Sequence, residues 1–151
     1  MLAFDLEFVQ DAVRAVLEER SDVWFVFLNV HRFSEDARVI HLAELVDRAE
    51  IRRFVNTCDY MLHAHRYGET FGLAVAEFAF VGAPVLTFLE SPLKGHFDLL
   101  ADRMLLGYTN YEDVYGYFAE LPRRTEPADT SVRLKYSRES VMARFASTFL
   151  R

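Results

Sequence analysis

The chain has 151 residues, 52% hydrophobic and 15% aromatic, with 17 basic and 23 acidic side chains for a formal net charge of −6. That length is the prior for one domain (1–151) with a core, and the apolar content excludes a disordered chain. An acidic balance, pI ≈ 5.3, argues against a nucleic-acid partner, which needs an electropositive face.

The predicted elements alternate between two periods. Leu6–Glu19 places Phe8, Val9, Ala12, Val13, Val16 and Leu17 on one stripe at helical spacing. Ser21-Asp22 ends it, and Val23–Leu28 is a continuous apolar run suited to a strand buried on both faces. Val39–Leu42 is a second strand candidate. Leu45–Val55 reads as a helix with Ile51, Phe54 and Val55 inward, and Tyr60–His63 as the next strand.

Gly68–Gly72 is a loop, Leu73–Val81 a helix, and Gly82 with Pro84 the expected stop. Val85–Phe88 is another buried strand, Met104–Leu106 a short one, and Tyr111–Leu121 a helix. The polar stretch Pro122–Ser131 is a loop before a last helix, Ser137–Leu150. Strands alternating with helices predict an α/β fold, a Rossmann-like three-layer sandwich with a mainly parallel sheet.

Neither end of the composition suggests export. Met1-Leu2-Ala3-Phe4 meets Asp5 and Glu7 without a basic stretch, and the apolar runs fall short of the roughly 18 residues a membrane span needs. The single cysteine, Cys58, fits a reducing compartment, so the expected location is cytoplasmic with no transmembrane segment. Common α/β chemistries are excluded by absence: no GxxxxGK[ST], no GxGxxG after a strand and no GxSxG occur.

The informative segment runs from Asn56 to Phe88. A helix that starts near Gly72 offers unpaired N–H donors and a positive dipole end, a natural seat for a phosphate. Gly72 lets a ligand approach the backbone there. Glu69 lies in the loop, and Glu77 stands out on an otherwise apolar helix eight residues later. A carboxylate accepts both hydroxyls of a cis-diol, as a ribose offers. A diphosphate seat with two acceptor carboxylates suits a nucleotide-sugar better than a plain nucleotide.

Glu69-Thr70-Phe71-Gly72-Leu73-Ala74-Val75-Ala76-Glu77 resembles the E-x7-E motif of retaining GT-B glycosyltransferases, particularly family 4. Asn56–Leu62 resembles the strand before that motif, and Gly82-Ala83-Pro84-Val85-Leu86 resembles the G-x-P-V strand after it. E-x7-E alone is a weak pattern; with Phe71, Gly72, Leu73 and the downstream strand in register it is fairly specific.

The resemblance implies a C-terminal, donor-binding domain, one half of a GT-B enzyme, that holds a nucleotide-diphosphate sugar for transfer to an acceptor hydroxyl. It implies a catalytic role for Glu69 near the anomeric centre. Thr70, Phe71, Gly72 and Leu73 would present backbone N–H groups to the sugar and diphosphate, and Glu77 would hold the ribose. Leu42 to Glu44 occupy the region where such enzymes hold the nucleobase. No cofactor and no catalytic metal are implied, since the nucleotide-sugar is the donor substrate. The family's basic pair at the start of the domain has no counterpart here, and Lys94 and Arg66 are the substitutes for phosphate charge. Because GT-B enzymes have two such domains, the resemblance also implies an acceptor-domain subunit or a homo-oligomer, and no activity of this chain alone.

Blander readings stand beside these. Glu69 and Glu77 can be charges on a solvated face. His63 and His65 can be a metal pair or ordinary polar histidines, and Lys94-Gly95-His96 a phosphate contact or an exposed turn. Phe4 and Phe8 are expected to be uncovered, forming a self-association patch. Arg123-Arg124 reads as solvated loop charge, and Cys58 as packing. The alternative function is a non-catalytic Rossmann-like interaction or regulatory module; a third is half of an epimerase or phosphorylase with the same layout.

Overall fold

The computed structural model describes residues 4–125 and 131–150. Helix α1 (Glu7–Glu19) forms on the predicted stripe and buries Val9, Ala12, Val13, Val16 and Leu17. Its last turn has no basic residue of its own. Arg38, distant in sequence, donates instead to Leu17 O at 2.7 Å. Helix α2 (Arg48–Thr57) starts three residues later than the apolar pattern suggests, because the Asp47 carboxylate accepts from the amides of Ala49 and Glu50. Ile51, Phe54 and Val55 do face inward.

All four-residue strands pair in parallel. Strand β1 (Phe25–Leu28) pairs with β2 (Val39–Leu42). Strands β3 (Met61–His63), β5 (Val85–Phe88) and β7 (Leu105–Tyr108) form a second ladder in the order β3-β5-β7. Between them come β4 (Gly68–Glu69), helix α3 (Leu73–Phe80) and β6 (Leu93–Lys94). β4 and β6 make a two-residue parallel ladder of their own. Two 3₁₀ turns, Gly95–Leu99 and Asp102–Met104, lead into β7. Helices α4 (Tyr111–Glu120), α5 (Ser131–Lys135) and α6 (Arg138–Phe149) complete the chain, so the fold is α/β with parallel ladders.

The core divides around β5, whose four residues are all buried. Leu86 and Phe88 join a cluster with Leu6, Val9, Val13, Val16, Phe27, Tyr108, Val114 and Phe118, where α1 packs on α4. Val85, whose side chain points the opposite way, joins Val55, Val75, Ala76, Phe78 and Leu99 from α2, α3 and the first 3₁₀ turn. Each buried Val, Leu or Phe is worth about 1.5–3 kcal/mol relative to exposure, and β5, the middle strand of its ladder, supplies three of them to the two clusters.

Three expectations change. β1 is not buried on both faces: only Phe27 is buried, neighbouring Trp24 is exposed, and β1 pairs with β2 alone. Phe4 and Phe8 are not an uncovered patch. Phe4 is buried between the rings of Phe27 (4.9 Å) and Phe33 (5.7 Å), supplied by the loop between β1 and β2. Phe8 packs on Phe88 and Tyr108. Arg124 is not idle loop charge either; its guanidinium donates to Gly82 O at 2.6 Å, just past the end of α3. The Pro122–Ser131 loop is described only to Thr125, and Ser131 already belongs to α5; residues 126–130 lie outside the described residues.

Candidate functional site

The site is built from β4, the start of α3 and the turn after β6. Glu69 and Lys94 are register partners in the β4–β6 ladder, so the pairing places the two residues side by side. The Lys94 ammonium lies over the Phe97 ring at 5.9 Å. Gly95 is demanded by this closeness, since a Cβ there would overlap the Thr70 carbonyl. Gly72 has φ +84°, a left-handed conformation that glycine adopts without strain, and an added Cβ would stand 2.9 Å from His96 Cβ and 3.4 Å from Glu69 Cβ. Glu69, Gly72 and His96 therefore pack together.

Gly72 is also the N-cap of α3, and no side chain caps that end. The first helical hydrogen bond is Ala76 N–H to Gly72 O at 2.9 Å, so the amides of Leu73, Ala74 and Val75 precede the ladder. Gly72 itself is buried, the space a Cβ would take being filled by His96 rather than left open to a ligand, and of the three following residues Leu73 and Ala74 are exposed and Val75 is buried. A helix start with a positive dipole end and no side-chain cap is chemically suited to an anion.

Beneath this loop three side chains form a directed hydrogen-bond chain. Glu69 N–H donates to His96 Nδ1 at 3.3 Å. A neutral imidazole that accepts at one nitrogen donates from the other. Hence His96 Nε2–H donates to Thr87 Oγ1 at 3.0 Å, and the Thr87 hydroxyl donates onward to His63 Nδ1 at 3.0 Å. This network assigns both imidazoles the Nε2–H tautomer. Thr87 and His96 are fully buried and His63 is 8% exposed. His63 Nε2 has no hydrogen-bond partner among the described residues. Burial, with His96 and His65 nearby, pushes the His63 imidazole down to about 3, which keeps it neutral. Burial also lowers His96, against the opposing pull of the Glu69 carboxylate. Tyr108 secures the same strand from behind, its hydroxyl donating to His63 O at 3.0 Å.

The predicted site residues fall into two groups. Glu69, Thr70, Phe71, Gly72, Leu73 and Lys94 are gathered on the loop and its partner strand; Thr70, Phe71, Leu73 and Lys94 are exposed and Glu69 is half-buried. Glu77 lies farther along α3 on its exposed side. Leu42 and Glu44 are exposed at and after the end of β2, which pairs only with β1, and no ladder joins them to the loop. Arg66 reaches Asp5 rather than the loop: its amide donates to the Asp5 carboxylate at 2.8 Å and its guanidinium to Asp5 O at 3.4 Å.

His63 and His65 take the ordinary polar and packing roles, and only His96 departs from its reading as part of an exposed turn. His63 turns to Thr87, whereas His65 Nδ1 contacts Gly68 O at 2.8 Å, and their ring centroids are 6.4 Å apart. Among the described residues no group of three or more His, Cys, Asp or Glu side chains is arranged to hold a metal. His96, read as part of an exposed turn, is fully buried, and only Lys94 of that tripeptide is on the surface. Cys58 is half-buried, its thiol raised by burial and by Asp59, in keeping with packing rather than nucleophilic chemistry.

Sequence reasoning missed Thr87 and His96 as one unit. The one available signal was a threonine in an otherwise apolar buried strand. No helix among the described residues is long and apolar enough to cross a membrane. No family model matches the chain, and no curated protein matches it.

Proposed function

We propose that this chain is a Rossmann-like, three-layer donor-binding domain of the GT-B type. It binds a nucleotide-diphosphate sugar for retaining glycosyl transfer to an acceptor hydroxyl. The observation that carries the reading is that Glu69 and the uncapped start of α3 lie on one loop, with Lys94 beside Glu69 on the partner strand. In this reading the diphosphate sits at the amides of Leu73 to Val75, with Lys94 supplying positive charge. That arrangement stabilises charge as it builds on a departing diphosphate. Glu69 faces the sugar, and Glu77, farther along α3, accepts from the ribose hydroxyls. Leu42 and Glu44 would approach the base. The donor is a substrate, and the reading calls on no cofactor or metal.

Transfer also needs an acceptor side, which we assign to another domain, a partner subunit or a second copy. Ligand-observed NMR with UDP- and GDP-sugars, and with the matching nucleoside diphosphates, tests the donor role. The reading expects Glu69→Gln to weaken the sugar-bearing ligands more than the bare diphosphates. Equal weakening of both, or no binding of either by the wild-type chain, removes Glu69 from the sugar and the reading with it.

A further inference from the structure

Thr87, His96 and His63 are buried polar side chains to which the donor reading gives no task. His96 has no exposed surface, so it reaches no ligand itself. What it does touch is the loop. Its Nδ1 accepts from the Glu69 amide at 3.3 Å, and its Cβ fills the space beneath Gly72. Gly95, just before it, lies against the Thr70 carbonyl. His96 and Gly95 therefore support the segment from Glu69 to Gly72.

The other end of His96 is fixed to the sheet. Its Nε2–H donates to Thr87 Oγ1 at 3.0 Å, and Thr87 sits in β5 with β3 paired on one side and β7 on the other. Glu69, by contrast, belongs to a ladder of two residues per strand. The imidazole thus joins a very short ladder to the middle strand of a longer one. Its two nitrogens face different ways on one rigid ring, so accepting from Glu69 and donating to Thr87 are a single geometric constraint. Burial holds His96 below its ordinary range, which favours the neutral ring that can do both.

We propose that His96 is a positioning residue: held on β5 by Thr87, it fixes the Glu69 backbone so that the carboxylate meets the sugar of a nucleotide-diphosphate sugar. The proposal rests on the donor-binding reading and deepens it. Preference for a sugar-bearing ligand over the bare diphosphate then depends on a buried residue that reaches neither.

Two substitutions divide the imidazole between them. The Asn amide oxygen takes the place of Nδ1 and still accepts from Glu69, whereas the Gln amide nitrogen takes that of Nε2 and still donates to Thr87. Both His96→Asn and His96→Gln should melt earlier than the wild type, so melting does not separate the roles. Hydrogen exchange followed by NMR, without ligand, should show the Glu69 amide protected in the wild type and in His96→Asn. In His96→Gln it should exchange about tenfold or more faster. The ratio of the Kd for a UDP- or GDP-sugar to that for the matching nucleoside diphosphate should hold in His96→Asn and rise about tenfold in His96→Gln. Thr87→Val keeps the shape and removes the anchor, so it should move both readouts in the direction of His96→Gln, and Thr87→Ser should restore them. This second pair decides the matter if the His96 variants do not fold. A wild-type preference for the sugar that His96→Gln and Thr87→Val leave unchanged overturns the positioning role while the donor reading stands. So does equal exchange of the Glu69 amide in the Asn and Gln variants. If the wild type binds no nucleotide-sugar, the donor reading falls and takes the sugar role with it, whereas unequal exchange would still mark His96 as the anchor of Glu69.

Discussion

Helices α1 and α6 are of nearly equal length and both carry an apolar stripe, yet α1 buries five residues and α6 buries none. The stripe of α1 meets α4 and the cluster around Leu86, whereas the apolar side of α6 looks away from the element it rests on. Periodicity in a sequence therefore establishes a helix and its apolar side, but not what that side meets. Stability should be concentrated around α1 and β5, and α6 should be almost free of it.

The largest expected effect is at the centre of that contrast. Leu86→Ala, at a fully buried position of β5, should cost about 2–5 kcal/mol of unfolding free energy in urea denaturation. A loss below about 1 kcal/mol would mean that β5 is not the central strand.

The buried chain of hydrogen bonds comes next. Thr87→Val keeps the shape and strands two imidazoles, so it should cost about 1–3 kcal/mol, with Thr87→Ser recovering most of it. Long-range ¹H–¹⁵N correlation spectra should show His63 and His96 as Nε2–H tautomers in the wild type. The relay also gives the fold an acid limit. His63 is held at about 3, below its ordinary range, so the unfolded chain takes up this proton first as pH falls. Stability from this group should be complete above about pH 6.5 and decline from there toward pH 3. Thermal melts across that window should show the loss, and a flat profile would contradict the buried neutral imidazole.

Smaller effects fall at the edges. Arg124→Ala removes the donor to Gly82 O and should cost about 1 kcal/mol, because the contact is half-buried. Met142→Ala and Phe145→Ala on α6 should change stability by no more than about 0.5 kcal/mol each. A cost above 1 kcal/mol there would erase the contrast between the two helices.

Much of the fold was legible because local patterns carry it. The stripe of α1, the apolar run of β5 and the Gly82–Pro84 stop all survive nearly at their predicted bounds. What stayed hidden depends on partners far along the chain. The β4–β6 ladder spans two residues per strand and gives no period to read. β1 looked doubly buried because its composition matches a central strand, yet it pairs with β2 alone. His96 and Arg124 are polar residues in turn-like stretches; their roles follow from contacts with Thr87 and Gly82. Of the candidate site, Glu69 and Gly72 share the motif loop, whereas Lys94 lies outside the motif and is brought beside Glu69 by the β4–β6 ladder. Leu42 and Glu44 were not joined to them, since resemblance in that region was loose.

Calorimetric titration of the wild type and Glu77→Gln with UDP- and GDP-sugars tests the central claim most directly. The donor-site account predicts saturable binding of at least one nucleotide-sugar at about millimolar Kd or tighter. It predicts a loss of about tenfold or more in Glu77→Gln, the worth of the charge-assisted bonds to a ribose diol, with an unchanged circular dichroism spectrum. Heat from none of these ligands, or identical isotherms for the two proteins, would contradict it.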